Sequence, residues 1–160
     1  MKNHLDKRLE TEYTIQFMQI MIHTDGGARG NPGPAAIGVV IEKIADDKKR
    51  EQLAAFGKKI GETTNNVAEY TAVIEAWEEI KKQKKELGRG VSWDIHFYLD
   101  SQLVVNQLNG IFKIKDGRIR VFVFTIKSFE QEVGGVVYYH LVPRAQNSHA
   151  DLLVNQALDA

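Results

Sequence analysis

The sequence predicts an α/β domain in which helices pack on the faces of a mixed β-sheet. Two observations support this fold class. Three β-type apolar segments open the chain, and a helical period of apolar residues takes over near residue 65. Two further strand-like segments then alternate with helical ones, which gives the order βββ-α-β-α-α-β-α. Hairpin-linked strands followed by crossover helices require both antiparallel and parallel pairing in one sheet.

The first three elements are predicted to be strands. Residues 13–24 are rich in Ile and Met, and residues 36–44 and 52–60 form the second and third strands. The segment GGARGNPGP, residues 26–34, is predicted to be an irregular loop, because its glycines and prolines do not sustain a helix or a strand ladder. The charged run at residues 46–50 fits a solvated hairpin turn.

The next element is predicted to be an amphipathic helix that begins at Asn65 or Asn66. Its apolar residues recur at i, i+3 and i+4. They are Val67, Tyr70, Val73, Ile74, Trp77 and Ile80. The lysine-rich segment KKQKKELG ends the helix, because cations suit a helix C-terminus and Gly88 stops it. We expect the aromatic residues of this face to lie in the core and not to stack on bases.

The second half of the chain continues the alternation of strands and helices. We predict a strand at residues 91–99, a short helix at 101–108, and a longer helix at 118–133 despite its β-branched residues. A fifth strand at residues 136–142 and a last helix at 148–158 complete the domain.

The composition limits the classes of function. The sequence has no cysteine, which excludes disulfides, thiolate metal sites and cysteine nucleophiles, and we expect a cytoplasmic protein. The 21 basic and 21 acidic residues cancel. This balance argues against a protein that coats nucleic acid by charge alone, but it allows an enzyme that makes few phosphate contacts.

One domain accounts for most of the chain. Residues 1–12 are predicted to be a polar extension that is not a secretory signal, and residues 13–160 a single catalytic domain, which we expect to be monomeric. No apolar run approaches the ~20 residues of a membrane span, so we predict no membrane association.

Four carboxylates stand at the edges of four different predicted elements. They are Asp25 in IHTDGG, Glu69 in TTNNVAEY, Asp100 in FYLDSQ and Asp151 in NSHADLL. Strand ends and helix N-termini at one edge of an α/β sheet meet in one crevice. Four acids in that crevice would repel one another unless a cation intervened. Oxygen ligands suit Mg²⁺ or Mn²⁺, and two such ions ~4 Å apart assist an in-line displacement at phosphorus.

Each acid also has a purely structural interpretation. Asp25 precedes a glycine, which is a common turn signal. With Asn66 as N-cap, Glu69 would fall at the third helical position and complete a capping-box-like arrangement. Asp100 is a possible cap of the helix that follows it, and Asp151 a first-turn acid of the last helix.

Four segments together resemble type 1 ribonuclease H. They are TDGGARGNPGPAAIG, TTNNVAEY, LDSQLVVNQLNG and VPRAQNSHADLLVNQALD, and the resemblance covers residues 22–159. It implies a ribonuclease H-like five-stranded mixed sheet flanked by helices, and hydrolysis of the RNA strand of an RNA/DNA hybrid that leaves 5′-phosphate and 3′-hydroxyl ends. It also implies that the four acids are metal ligands, with Asp25 bridging two Mg²⁺ or Mn²⁺ ions.

The resemblance carries over to substrate contacts. Asn31, Asn66 and Gln102 match residues that reach minor-groove base edges and 2′-hydroxyls, which distinguish the RNA strand. Thr64 and Asn65 match the part that holds a phosphate of the DNA strand. Alternatively, one residue of Thr64, Asn65 and Asn66 caps the helix, and Asn31 holds the GNPG turn.

The chain departs from the family pattern in two places near the site. The loop VPRAQNS lacks the usual histidine, so Arg144, His149 or neither residue takes its place. The basic protrusion of longer members is reduced to NGIFKIKDGR, which makes this a short form of the family. Lys113 and Lys115 are candidates for a smaller phosphate-binding surface there.

Three other functions remain open on the sequence. One is a nucleic-acid-binding module of the same fold that does not cleave, and another is a structure-selective DNA nuclease. The third is an ATP-binding phosphotransferase of a related fold, which requires two such domains, whereas 160 residues allow one.

Overall fold

The computed structural model describes residues 16–87 and 91–160. The strands are β1 (Gln16–Ala28), β2 (Gly33–Ile44), β3 (Arg50–Thr63), β4 (Val91–Leu99) and β5 (Val136–Leu141). The helices are α1 (Asn65–Leu87), α2 (Gln102–Leu108), α3 (Gly117–Val133) and α4 (Ser148–Asp159), and a 3-10 turn at Arg144–Asn147 precedes α4. The predicted extension at residues 1–12, the predicted strand start at residue 13 and the helix stop at Gly88 lie outside the described residues.

The five strands form one mixed sheet in the order β3-β2-β1-β4-β5, so the predicted fold class is confirmed. β1 and β3 pair with β2 in antiparallel fashion, whereas β1 with β4 and β4 with β5 are parallel. The last pair between β1 and β4 joins His23 to Tyr98. β1 continues alongside β2 to Ala28 after β4 has ended at Leu99. A crevice therefore opens between β1 and β4 at their carboxyl ends.

The core lies between the sheet and the pair of helices α1 and α3. Tyr70 and Trp77 of α1 are fully buried. The centroid of the Trp77 ring lies 5.1 Å from the ring centroid of Phe97 in β4 and 6.4 Å from that of Phe129 in α3. The aromatic face of α1 is therefore core, as predicted. α4 packs on the sheet through β1, β2 and β3. Within the described residues, no helix is long and apolar enough to cross a membrane.

The predicted loop at residues 26–34 is too long. Gly26 and Gly27 continue β1 and pair with Ile37 and Ala36, so only residues 29–32 connect β1 to β2. These glycines permit a close approach of another backbone and do not mark a turn. Asp25 consequently lies inside β1 and not at its end.

Two predicted capping roles of the acids are wrong. The N-cap of α1 is Thr64, whose Oγ1 accepts a hydrogen bond from the amide of Val67 at 3.3 Å, so Glu69 lies beyond the first-turn position predicted for it. The N-cap of α2 is Ser101, whose Oγ accepts from the amide of Val104 at 3.3 Å. Both hydroxyls perform the capping that the sequence also allowed for Asn66 and Asp100.

Candidate active site

Three carboxylates from three elements meet in the crevice between β1 and β4. Asp25 of β1, Glu69 of α1 and Asp100, which follows β4, each place an oxygen so that these atoms lie within 4.8 Å of one another. Asp25 and Glu69 are buried, and each retains 8% of its accessible surface. Asp100 is half-buried. The convergence that the sequence predicted is present.

Two glycines bring the helices that carry Glu69 and Asp151 against the sheet. A Cβ atom on Gly26 would lie 2.2 Å from the carbonyl carbon of Ala68, the residue before Glu69. Gly38 is the β2 partner of Asp25. A Cβ atom on Gly38 would lie 2.1 Å from the carbonyl oxygen of Ala150, the residue before Asp151. Both helix backbones therefore touch the sheet directly beside Asp25.

Asp151 is not one of the three acids whose oxygens lie within 4.8 Å of one another. It lies in the first turn of α4, as predicted, and it lines the same cavity of about 540 Å³ as Asp25, Glu69 and Asp100. Its charge contributes to the raised pKa of Asp25 and to the raised pKa of Asp100. All four predicted acids thus surround one cavity.

The cluster retains protons more tightly than isolated carboxyls. Burial, followed by the charge of Asp100, raises the pKa of Asp25 from 3.8 to about 7. Burial and then the charges of Asp25 and Asp100 raise the pKa of Glu69 well above its usual value. Burial also raises the pKa of Asp100, although the Arg144 guanidinium opposes that rise.

This donor set fits a hard divalent cation. All candidate ligand atoms are carboxylate oxygens, which is the chemistry that Mg²⁺ and Mn²⁺ prefer. Among the described residues, Oε2 of Glu69 is buried and has no hydrogen-bond partner. A cation would satisfy that oxygen and would offset both the burial of the carboxylates and their mutual repulsion, which together raise the pKa values.

The side-chain oxygens of Asn31 and Asn65, beside the cluster, accept hydrogen bonds from backbone amides of neighbouring segments. Oδ1 of Asn31 accepts from the backbone amide of Asn65 at 3.0 Å, and Oδ1 of Asn65 accepts from the backbone amide of Ala28 at 2.8 Å. Asn31 therefore has a structural role, but it ties the connection between β1 and β2 to the start of α1, which differs from the role within the GNPG turn considered for it. Because both carbonyl oxygens are used internally, the NH₂ groups of these side chains are the atoms suited to contact a ligand.

The other predicted contact residues divide into two groups. Asn31, Asn65, Asn66 and Arg144 line the carboxylate cavity. Thr64 caps α1 at the rim, and Gln102 is exposed at the start of α2. Lys113 and Lys115 are exposed on the connection between α2 and α3, outside the residues that line this cavity.

Arg144 and His149 face different cavities. His149 lines a separate space of about 190 Å³ together with His23, Glu42 and Arg50. Arg144 lines the carboxylate cavity, and its charge lowers the pKa of Asp100. Of the two candidates for the position of the usual histidine, the geometry favours Arg144.

Asn147 is a site residue that the sequence reasoning missed. It is 1% exposed, and its Nδ2 donates to the backbone carbonyl of Thr24 at 2.9 Å. It also lies near Asp100, where it opposes the rise that burial causes in the pKa of that carboxyl. It lines the cavity of His149 and not the carboxylate cavity. The available signal was its place one helical turn before Asp151, on the segment that enters α4.

The carboxylate cluster predicts a pH dependence of stability. Because the pKa of Asp25 is higher in the folded protein, its contribution to stability is fully present below pH 3.8 and is lost as the pH rises to about 7. In chelator, Asp25→Asn should therefore melt at a higher temperature than wild type at pH 8, by on the order of 5 °C, with little difference near pH 4.

Burial lowers the pKa values of His23 and His140, so their titration changes stability with pH in the opposite direction. Both proteins contain these histidines, so the difference in melting temperature between variant and wild type at each pH cancels their effect. Differential scanning fluorimetry from pH 4 to 8 measures the difference. A variant less stable than wild type at pH 8 in chelator would contradict the prediction, and Mg²⁺ should stabilise only the wild type.

Comparison with known proteins identifies similar chains. The family model described as RNase H matches residues 18–159. A bifunctional protein of Mycobacterium tuberculosis is 37% identical over 143 residues, which are 89% of this chain and 36% of that protein. Ribonuclease HI of Halobacterium salinarum is 38% identical over 141 residues, which are 88% of this chain and 65% of that protein. The chain thus spans about a third to two thirds of the length of these curated relatives.

A solved structure extends this similarity. LC11-RNase H1, determined in complex with an RNA/DNA hybrid, is 41% identical, with a TM-score of 0.77 over 88% of this chain and 96% of that chain.

Proposed function

The chain belongs to the type 1 ribonuclease H family, and from this premise we propose that it is an endonuclease that hydrolyses the RNA strand of RNA/DNA hybrids. The products would carry 5′-phosphate and 3′-hydroxyl ends. The observation that carries this proposal is the convergence of Asp25, Glu69 and Asp100 within 4.8 Å, in a cavity that asparagines also line. The related structure with a bound hybrid supports the substrate.

The four acids are proposed to hold the metal. Bound Mg²⁺ or Mn²⁺, two ions in this proposal, supplies positive charge for the attacking and leaving oxygens of a phosphodiester. Asp25 is the proposed shared ligand, as the resemblance to the family implies, and it places an oxygen within 4.8 Å of oxygens of Glu69 and Asp100. Glu69 contributes the buried Oε2 that otherwise lacks a partner among the described residues.

The asparagines are proposed to recognise the hybrid. Asn31 and Asn66 line the cavity, and Gln102 is exposed at its edge, where amide groups can contact minor-groove base edges and 2′-hydroxyls. Asn65 and Thr64 lie at the N-terminus of α1, where backbone amides and a polar side chain suit a phosphate of the DNA strand.

Arg144 is proposed to contact the scissile phosphate. Its guanidinium lies close enough to Asp100 to lower the pKa of that carboxyl, and it lines the cavity. A guanidinium stays charged and binds phosphate oxygens in pairs, so it stabilises charge and does not transfer protons as a histidine does. Lys113 and Lys115 are proposed to bind phosphates farther along the hybrid.

We further propose that the enzyme acts as a monomer in the cytoplasm. The support for the compartment is a cysteine-free sequence, which suits reducing conditions.

The proposal predicts selective cleavage of one substrate. End-labelled RNA/DNA hybrid should be cut within its RNA strand in Mg²⁺ or Mn²⁺ and should remain intact in chelator. Duplex RNA, duplex DNA and single strands of the same sequence should remain intact in all conditions. Binding of the hybrid without cleavage in Mn²⁺ would indicate a non-cleaving module instead, and cleavage of duplex DNA would indicate a DNA nuclease.

A further inference from the structure

Asn147 lies where β1 loses its neighbour β4. The last residue of β1 paired with β4 is His23, and the next residue, Thr24, has its carbonyl oxygen 2.9 Å from Nδ2 of Asn147. Asn147 ends the 3-10 turn that leads into α4. Its side chain therefore ties the start of α4 to β1 at the mouth of the crevice.

Asn147 connects the segments that carry two acids of the cluster. Thr24, whose carbonyl oxygen accepts its hydrogen bond, directly precedes Asp25. Asn147 itself stands one helical turn before Asp151. Its side chain thus links the strand that carries Asp25 to the helix that carries Asp151.

The side-chain oxygen of Asn147, Oδ1, argues against a purely structural role of this residue. Oδ1 of Asn147 is buried and has no partner among the described residues. An unsatisfied buried acceptor costs on the order of 1–3 kcal/mol. An apolar side chain at this place would avoid that cost but would lose the hydrogen bond to the Thr24 carbonyl. The arrangement is suited to holding the start of α4 against β1 and not to maximal stability.

We propose that Asn147 is a positioning residue of the metal site, which holds the Asp151-bearing turn of α4 in register with Asp25. This inference rests on the proposed function, because it assigns the four acids to metal binding. Asn147 does not touch the metal or the substrate in this proposal. It acts by fixing the backbone segments that carry the carboxylates, a supporting role of the kind that the surroundings of metal ligands play.

A matched control is available in the same fold. Nδ2 of Asn109 donates to the backbone carbonyl of Tyr139 at 3.2 Å and ties the end of α2 to β5. Asn109→Ala therefore removes an amide-to-strand hydrogen bond of the same type, but between a helix and a strand that carry none of the four acids.

The first test measures metal binding without substrate. Mn²⁺ should stabilise the wild type and Asn109→Ala equally in a thermal-shift titration. Asn147→Ala should require about tenfold or more Mn²⁺ for half of the shift. Equal half-saturation in all three proteins would overturn the inference. If Asn147→Ala does not fold, Asn147→Ser, whose hydroxyl is too short to reach the Thr24 carbonyl, must show the same weakened response.

The second test separates this inference from the proposed function. On RNA/DNA hybrid, Asn147→Ala should lower kcat at limiting Mn²⁺, recover with excess Mn²⁺, and leave KM for the hybrid within about twofold of wild type. A raised KM with unchanged metal requirement would overturn the inference. If the wild type binds Mn²⁺ but leaves the hybrid intact, the proposed function fails and the thermal-shift comparison still decides the role of Asn147.

Discussion

Asp25→Asn is expected to abolish cleavage of RNA/DNA hybrid, with a loss on the order of 10³-fold or more. The substitution keeps the shape of a buried side chain within β1 and removes the charge that contacts Glu69, Asp100 and Asp151. Single-turnover cleavage, measured with Mg²⁺ and with Mn²⁺, tests the expectation. Because the variant relieves repulsion between acids, it should remain folded.

Asp94→Asn provides the control for a removed carboxylate. Asp94 also lies on a strand, β4, but it pairs with His96 at 3.3 Å and does not line the carboxylate cavity. This control should cleave at the wild-type rate. Near-normal turnover by Asp25→Asn in either metal would show that the reaction does not depend on this cluster.

Gly26→Ala is expected to destabilise the protein by on the order of 3 kcal/mol or more and to lower its melting temperature by roughly 10 °C. The added Cβ would lie 2.2 Å from the carbonyl carbon of Ala68 and 2.5 Å from the amide nitrogen of Glu69. These are backbone atoms of α1, so no side-chain rotation relieves the overlap. The helix must move away from β1, and Glu69 moves with it.

Gly117→Ala is the control that shows whether a loss of stability in Gly26→Ala comes from the overlap with α1 or from replacing a glycine in general. Gly117 is the first residue of α3, and a Cβ there meets no atom within 4 Å. Alanine at that place should change the melting temperature little, since it also favours the helix. A wild-type melting temperature and metal response in Gly26→Ala would contradict the close approach of α1 to β1.

Local patterns predicted the order of the elements and the convergence of the four acids. They did not predict where β1 ends. Gly26 and Gly27 have the local signature of a loop, yet they are strand residues because α1 requires a surface without side chains. That requirement arises from contact between segments distant in sequence, so no local pattern contains it. The sequence likewise did not decide between Thr64 and Asn66 as the N-cap of α1, because the two residues lie only two positions apart and both side chains can accept the capping bond.

The roles of residues around Asp151 depended on helix geometry that sequence proximity conceals. His149 and Asp151 are only two positions apart, but successive residues of an α-helix turn by about 100°, which places their side chains on nearly opposite sides. His149 therefore lines one cavity and Asp151 another. Asn147 was missed for a related reason, because its hydrogen-bond partner is a backbone carbonyl 123 positions away in the sequence.

The close contacts at Gly26 and Gly38 make the positions of the site acids independent of substitutions in the apolar core. Main-chain atoms of α1 and α4 rest on main-chain atoms of β1 and β2, so the spacing of Glu69 and Asp151 from Asp25 does not depend on the size of any side chain between them. Apolar residues elsewhere in the core can exchange for others of similar volume without altering that spacing. Such a protein can accumulate sequence change in its interior while its chemistry remains constant.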